Sequence, residues 1–148
     1  MTTLRDAAYA VLTGDSTLAA LVPGGIYTRQ ISAISTPDAI AADGKPANHL
    51  VLKTREIGPV VRARFADSST LEIWIRTRDT DLGDIDSDAI ESRIRTLLSG
   101  AEYTADAGTR GTIDQRVGDT GIIDDPGFAF ARIRTIRYQA TSVWSVPA

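Results

Sequence analysis

Between Leu71 and Leu98 the apolar period changes from two residues to three or four, with only a short polar stretch between the two patterns. Leu71, Ile73 and Ile75 alternate with Glu72, Trp74 and Arg76; Ala89, Ile90, Ile94, Leu97 and Leu98 then recur at helical spacing, with Ile85 just ahead of them. Alternation places the first set on one face of a strand, and helical recurrence places the second on one stripe of a helix. Each surface needs an apolar partner, and the nearest one is the other. The pattern therefore predicts a helix folded back across a sheet, covering the Leu71/Ile73/Ile75 face. At roughly 1.5–3 kcal/mol per fully buried aliphatic side chain, that contact is expected to be a main source of stability.

The stretch joining strand to helix holds five aspartates, Asp79, Asp81, Asp84, Asp86 and Asp88. An acidic loop of this kind either cradles a cation or starts a helix. A calcium loop of the EF-hand type wants oxygen ligands at positions 1, 3 and 5, glycine at 6 and glutamate at 12. Counting from Asp84 puts Ala89 at 6 and Arg95 at 12; counting from Asp79 puts Gly83 at 5 and Ile90 at 12. Both frames fail. Helix initiation accounts for the acids instead: Asp84, Asp86 and Asp88 fall at or before the first turn, where carboxylates satisfy free N–H groups and the helix dipole. Arg93 and Arg95 lie toward the other end, and Gly100 stands where a helix-terminating glycine belongs.

Around this unit the chain of 148 residues reads as one domain. A helix through Leu4, Ala7, Ala8, Val11 and Leu12 is capped by Thr2 or Thr3 and stopped by Gly14. Asp15-Ser16-Thr17 caps a second short turn, which Pro23-Gly24-Gly25 ends before Ile26-Tyr27 begins an extended piece. Residues 28–48 are polar and small, with widely spaced Ile31, Ile34 and Ile40. So long a structureless segment is uncommon in a compact domain; it is either an arm ordered by a neighbouring molecule or a surface loop. Strands are expected at His49–Glu56, broken by Gly58-Pro59, and at Val60–Phe65 and Thr70–Arg78, joined by a turn at Ala66-Asp67-Ser68-Ser69. Arg110–Val117 is a further strand. Asp119–Gly121 and Asp125-Pro126-Gly127 are turns, and Phe128–Trp144 is a long β-rich run. In that run the apolar positions change parity at Ile133, which implies a bulge or a strand covered on both sides. The expected fold is α+β: a small mixed or antiparallel sheet of about four or five strands, an N-terminal helix, and one amphipathic helix packed on one face.

The chemistry of catalysis is hard to find. Cysteine is absent, so thiol nucleophiles, thiolate metal sites and disulfides are excluded together. The one histidine, His49, is expected at a strand start, on the surface or at an edge. No Gly-x-Ser-x-Gly elbow, phosphate loop or dinucleotide fingerprint occurs. Asp114, Asp119, Asp124 and Asp125 sit among turn residues and read as solvated loop acids. No catalytic residue, cofactor site or metal site is expected. No apolar run approaches the ~20 residues of a membrane span, and the N-terminus lacks the charged-then-apolar order of a signal peptide. The net charge of −3 argues against a duplex-binding domain. Arg132 and Arg134 share one strand face and Arg137 the other, while Arg62 and Arg64 pair similarly. Such arginines either track phosphates or form ion pairs across a protein interface, and the scarcity of aromatic residues among them favours the interface.

With "LRDAAYAVLTGDSTLAALVPGGIY" near the start and "STLEIWIRTRDTDLGDIDSDAIESRIRTLL" in the middle, the chain resembles the tail-terminator, or tail-completion, proteins of long-tailed bacteriophages and related gene-transfer particles. The resemblance is carried by Leu18–Tyr27, by the strand Leu71–Ile75 with its Trp74, and by the helix Ile90–Leu98. It implies a structural virion protein, not an enzyme: a homo-oligomeric ring, hexameric in this family, that caps the tail tube, ends its growth and presents a docking face to the head-side connector. DNA would pass through the lumen unread. It places the chain at the head–tail junction after assembly in the host cytoplasm. Subunit or tube contacts are then expected at Ile31, Ile34 and Ile40, at the hairpin with Arg62, Arg64 and Asp67, and at Arg132, Arg134 and Arg137. The alternatives are another neck or head-completion protein, or a small metal- or ligand-binding module.

Overall fold

The computed structural model describes residues 4–28, 40–59, 66–104, 110–127 and 129–143. Helices α1 (Leu4–Thr13) and α2 (Ser16–Leu21) come first, then strands β1 (Ile26–Tyr27), β2 (His49–Pro59) and β3 (Ala66–Arg78). Helix α3 (Asp81–Leu98) follows, and then β4 (Glu102–Thr104), β5 (Arg110–Asp119), β6 (Ile123–Asp124) and β7 (Ala131–Val143). The strands form one sheet in the order β1-β2-β3-β7-β5-β4, with β6 alongside β7. Among the described residues only β1 runs parallel to its neighbour; every other pairing is antiparallel. β7 is the centre. It pairs with β3 along its full length, and its other edge carries β5 and then β6.

The α+β class and the helix on one sheet face are as the sequence implies, but among the described residues the sheet has seven strands, not four or five. The additional strands are β1, β4 and β6, two or three residues each, too short for a period of two to register. β3 begins at Ala66, so Ala66–Ser69 is strand and not turn; β2 continues through Gly58-Pro59 with a register shift after Glu56. The proposed strand Val60–Phe65 lies outside the described residues. No bulge interrupts β7 against β3. Ile133 simply lies on the opposite sheet face from Ile136 and Tyr138, and the register shifts fall in β5.

The core lies between the helices and one sheet face. Leu50, Leu52, Leu71, Ile73, Ile75, Ile136 and Tyr138 meet Leu4, Leu12, Leu18, Ile90, Ile94 and Leu98, all buried. Asp15 caps α2 by accepting the Leu18 amide at 2.8 Å. α3 starts one turn earlier than Asp84: Thr80 is its cap, accepting from the Gly83 amide at 3.1 Å, and Asp81 and Asp84 occupy its first turn. Gly83 is required there. A Cβ on it would come within 2.1 Å of the Arg78 carbonyl oxygen, so the first turn of α3 presses directly on the end of β3.

Candidate assembly surfaces

Three acids of α3, Asp84, Asp88 and Glu91, are spent on its own sheet. Starting from the C-terminal half of the helix, six side chains of alternating charge form one ladder. Arg95 approaches Glu91 at 3.7 Å, and Glu91 accepts from Arg116 of β5 at 2.6 Å. Arg116 reaches Asp119 at 2.9 Å, Asp119 accepts from Arg134 of β7 at 2.6 Å, and Arg134 reaches Asp88 at 2.7 Å. One turn further up, Asp84 binds Arg132, which also faces Asp124 at 3.5 Å. Asp86 accepts from the Asn48 side chain at 3.0 Å. β7 supplies two rungs because Arg132 and Arg134 project from its helix-covered face, two residues apart. The hydrogen bonds of Arg134 hold the Asp119 carboxyl below its usual range, and those of Asp119 and Asp88 keep Arg134 protonated. Among the described residues no group of three or more His, Asp or Glu side chains is placed to hold a metal ion.

The sequence-derived interface residues are thus distributed unevenly. Arg132 and Arg134 are engaged within the chain by α3. Arg137 stands on the opposite face, with its guanidinium 3.2 Å from Glu72 and half exposed. Ile40 is bridged to Pro46 in a turn closed by the Ala41 amide and the Lys45 carbonyl at 2.8 Å. The backbone of Asp67 lies within β3, opposite Pro59 and Ser142. Ile31, Ile34, Arg62 and Arg64 lie outside the described residues.

Two expectations about polar residues are corrected. His49 is fully buried. Its Nδ1 lies 2.9 Å from the Ala47 carbonyl and its ring meets Tyr27 edge-on at 6.1 Å. Burial drives its pKa down to about 4, so it is neutral at pH 7. Asp125 is no solvated loop acid. It accepts from Arg76 Nε at 2.8 Å in a pair whose side chains are only 6% and 7% exposed, and it closes its own turn through the Gly127 amide. Asp119 is likewise sequestered in the ladder.

The face of the sheet away from the helices is open and polar. Lys53 Nζ sits 3.7 Å over the Trp74 ring, whose Nε1 donates to Glu72 at 2.6 Å. Gln139 donates to Ser68 at 2.9 Å. Among the described residues Val51 is the fully buried apolar side chain on this side, between Tyr27 and Trp74 and two residues from the buried His49. At the N-terminal end of α3 a cleft of about 240 Å³ opens between Pro23, Ala41, Ala47 and Leu82, floored by Asn48 and Asp86. Beside it, Leu82 and Ile85 are 68% and 64% exposed. Neither was foreseen as a surface residue. With the helix start set at Asp81, a helical wheel puts both opposite Ile90, Ile94 and Leu98, so the signal was present but phased to the wrong first turn.

A curled α+β sheet with three helices on one face and an open polar face defines the class of fold. No protein-family model matches the sequence, and no curated protein matches it. Solved structures do. A chain from the virion of a native gene transfer agent particle superposes with a TM-score of 0.63, covering 95% of this chain and 94% of that one at 16% identity. A second solved chain gives a TM-score of 0.60 over 98% of this chain and 90% of its own length, at 12% identity. At such identities the likeness is one of fold.

Proposed function

We propose that this chain is a structural protein of a phage-like or gene-transfer particle, and within that class a tail terminator. Copies close into a ring, hexameric by resemblance, on the finished tail tube, stop its growth and offer a face to the head-side connector while DNA passes through. The reading rests on one observation above all: the fold is shared along nearly the whole chain with a virion protein. The sequence motifs at Leu18–Tyr27, Leu71–Ile75 and Ile90–Leu98 favour the terminator over other neck proteins. Asp15 and Thr80 cap helices and three acids of α3 bind arginines of its own sheet, a use of polar side chains that suits a building block. Subunit and tube contacts are assigned to Ile31, Ile34, Ile40, Arg62, Arg64, Asp67 and Arg137. Arg132 and Arg134 contribute across the ring only by exchanging their bonds to α3.

Particles lacking this chain provide the test. Loss of a terminator gives overlong or unfinished tails in negative stain. Normal tails beside leaking heads would instead identify a head-completion factor. Light scattering with and without purified tail tubes reads assembly directly, and a strictly monomeric protein that never binds tube ends would overturn the ring.

A further inference from the structure

We infer that the outer face of α3 is a two-fold contact between copies of this chain, helix against antiparallel helix. Leu82, Ile85, Ala89, Ser92 and Thr96 recur at intervals of three and four residues and are all exposed, which makes them one ridge opposite the buried stripe. Two aliphatic side chains more than three-fifths exposed at i and i+3 form a contiguous apolar patch, and such patches mark interaction sites. The chemistry around the patch selects the occupant. Asp79 and Asp81 lie at the N-terminal end of the ridge and make no ion pair among the described residues. At the C-terminal end Arg95 is 51% exposed and, among the described residues, held by the long contact to Glu91. Asp81 and Arg95 lie equally far either side of Asp88 in sequence.

A two-fold axis passing near Asp88 and Ala89 therefore sets the acidic end of each helix over the second copy's Arg95. It also opposes the two helix dipoles, lays Ile85 beside the second copy's Ser92, and lets Ala89 and Ser92 bring the backbones close. Asp88, nearest the axis, is already neutralised by Arg134 at 2.7 Å, so the two copies of it do not repel at full charge. Such an isologous contact uses one patch on both partners. It lies outside the head-to-tail contacts of a cyclic ring and joins two copies, or two rings, face to face.

The absence of cysteine gives a direct test, because a residue beside a two-fold axis meets its own copy. Ala89→Cys treated with copper phenanthroline, which oxidises two thiols to a disulfide, is expected to run as a covalent dimer. Gln115→Cys, exposed on β5, serves as the collision control. Charge reversal supplies the second measurement. Asp81→Arg and Arg95→Asp should each raise the dimer dissociation constant roughly tenfold or more in sedimentation, and the combined variant should recover most of the loss; thermal melting of each variant reports that the fold is intact. Equal cross-linking of Ala89→Cys and Gln115→Cys, or no recovery in the combined variant, overturns the contact. A ring on tail tubes without Ala89→Cys cross-linking would sink this contact and leave the terminator reading standing. A cross-linked dimer that never caps a tube would do the reverse.

Discussion

Arg134 holds Asp119 with two nitrogens, Nε at 3.0 Å and Nη2 at 2.6 Å, across the gap between β7 and the end of β5. The two side chains are only 12% and 18% exposed. Their position in the ladder makes the pair structural: it fastens the turn after β5 to the strand at the centre of the sheet, and through Asp88 to α3.

Asp119→Ala should therefore be costly. It removes the acceptor for Arg134 and Arg116 together and leaves two partly buried guanidinium groups short of a partner. Hydrogen bonds to charged groups contribute about 1.5–3 kcal/mol each, and the network makes their loss non-additive. The expected fall in unfolding free energy is about 2–4 kcal/mol, read as a lower urea midpoint with an unchanged slope. Glu102→Gln is the contrast. Its pair with Arg110 spans 3.6 Å with both side chains mostly exposed, so a change within about 0.5 kcal/mol is expected. Comparable losses in the two variants would show that the ladder has no special weight.

The acid limb of the stability curve should have two parts. Asp15 is held down to about 2, chiefly by the Arg93 side chain. Asp119 and Asp43 are also lowered, first by Arg134 and by the Lys45 amide respectively. A carboxyl depressed in the folded state contributes its stability above its unfolded pKa of about 4 and loses it as pH falls through the folded value. His49 acts earlier. Burial lowers it from 6.5 to about 4, so across that window the unfolded chain binds a proton that the folded chain refuses, and stability declines as pH falls, by at most about 1.4 kcal/mol per pH unit. The urea midpoint should thus be level near neutrality, slope down below pH 6.5 and continue falling below 4. In His49→Gln the upper slope should vanish while the acid limb persists; an unchanged upper slope would locate its source elsewhere.

How far this was legible follows from the range of each interaction. α1, the Asp15 cap, β3 and α3 rest on local spacing and were readable, as was the helix over Leu71, Ile73 and Ile75. The short strands β4 and β6 were not, because they exist only as additions to a neighbour's edge; β1 was readable only as an extended piece at Ile26-Tyr27. The charged sites failed for the same reason. Asp119 lies 15 residues from Arg134, Arg132 lies 48 from Asp84, and Asp125 lies 49 from Arg76. A carboxylate beside Gly or Pro looks solvated until the strand order brings its arginine to it. Arg132 and Arg134 find acidic partners within the chain, Asp84 and Asp88 on the helix folded over the same strand and Asp119 at the end of β5.

Gly83 offers a sharper test of the strand-to-helix junction. Its missing side chain is what lets the first turn of α3 sit on the Arg78 carbonyl. In an ordinary helix Gly→Ala is favourable by up to about 1 kcal/mol. Here the new methyl would have to displace backbone, so Gly83→Ala should destabilise by about 1–3 kcal/mol or more, a reversal of sign. Gly118→Ala, where the nearest atom is the Arg137 side chain at 3.7 Å, should be mild. A stabilised Gly83→Ala would mean that α3 does not begin against β3 as described.

The buried pair Arg76–Asp125 separates breaking an ion pair from replacing it. Arg76 lies on the open sheet face, 5.4 Å from the Trp74 ring, and Asp125 anchors the turn between β6 and β7 over it. Removing the carboxylate alone takes away the acceptor that Arg76 Nε bonds in a site that water scarcely reaches, at a cost of about 3–5 kcal/mol. Replacing both partners by apolar groups removes the desolvation penalty together with the attraction, and is often neutral. Asp125→Ala should therefore lower the unfolding free energy by several times more than Arg76→Met/Asp125→Leu. The turn adds a complication with a definite sign: the Gly127 amide also loses its 2.9 Å acceptor, worth about 1 kcal/mol, in both variants alike. The difference between the two midpoints isolates the cost of removing the carboxylate while the guanidinium stays. If the double variant proves as unstable as the single one, the pair is held by its shape and its turn rather than by burial of opposite charges.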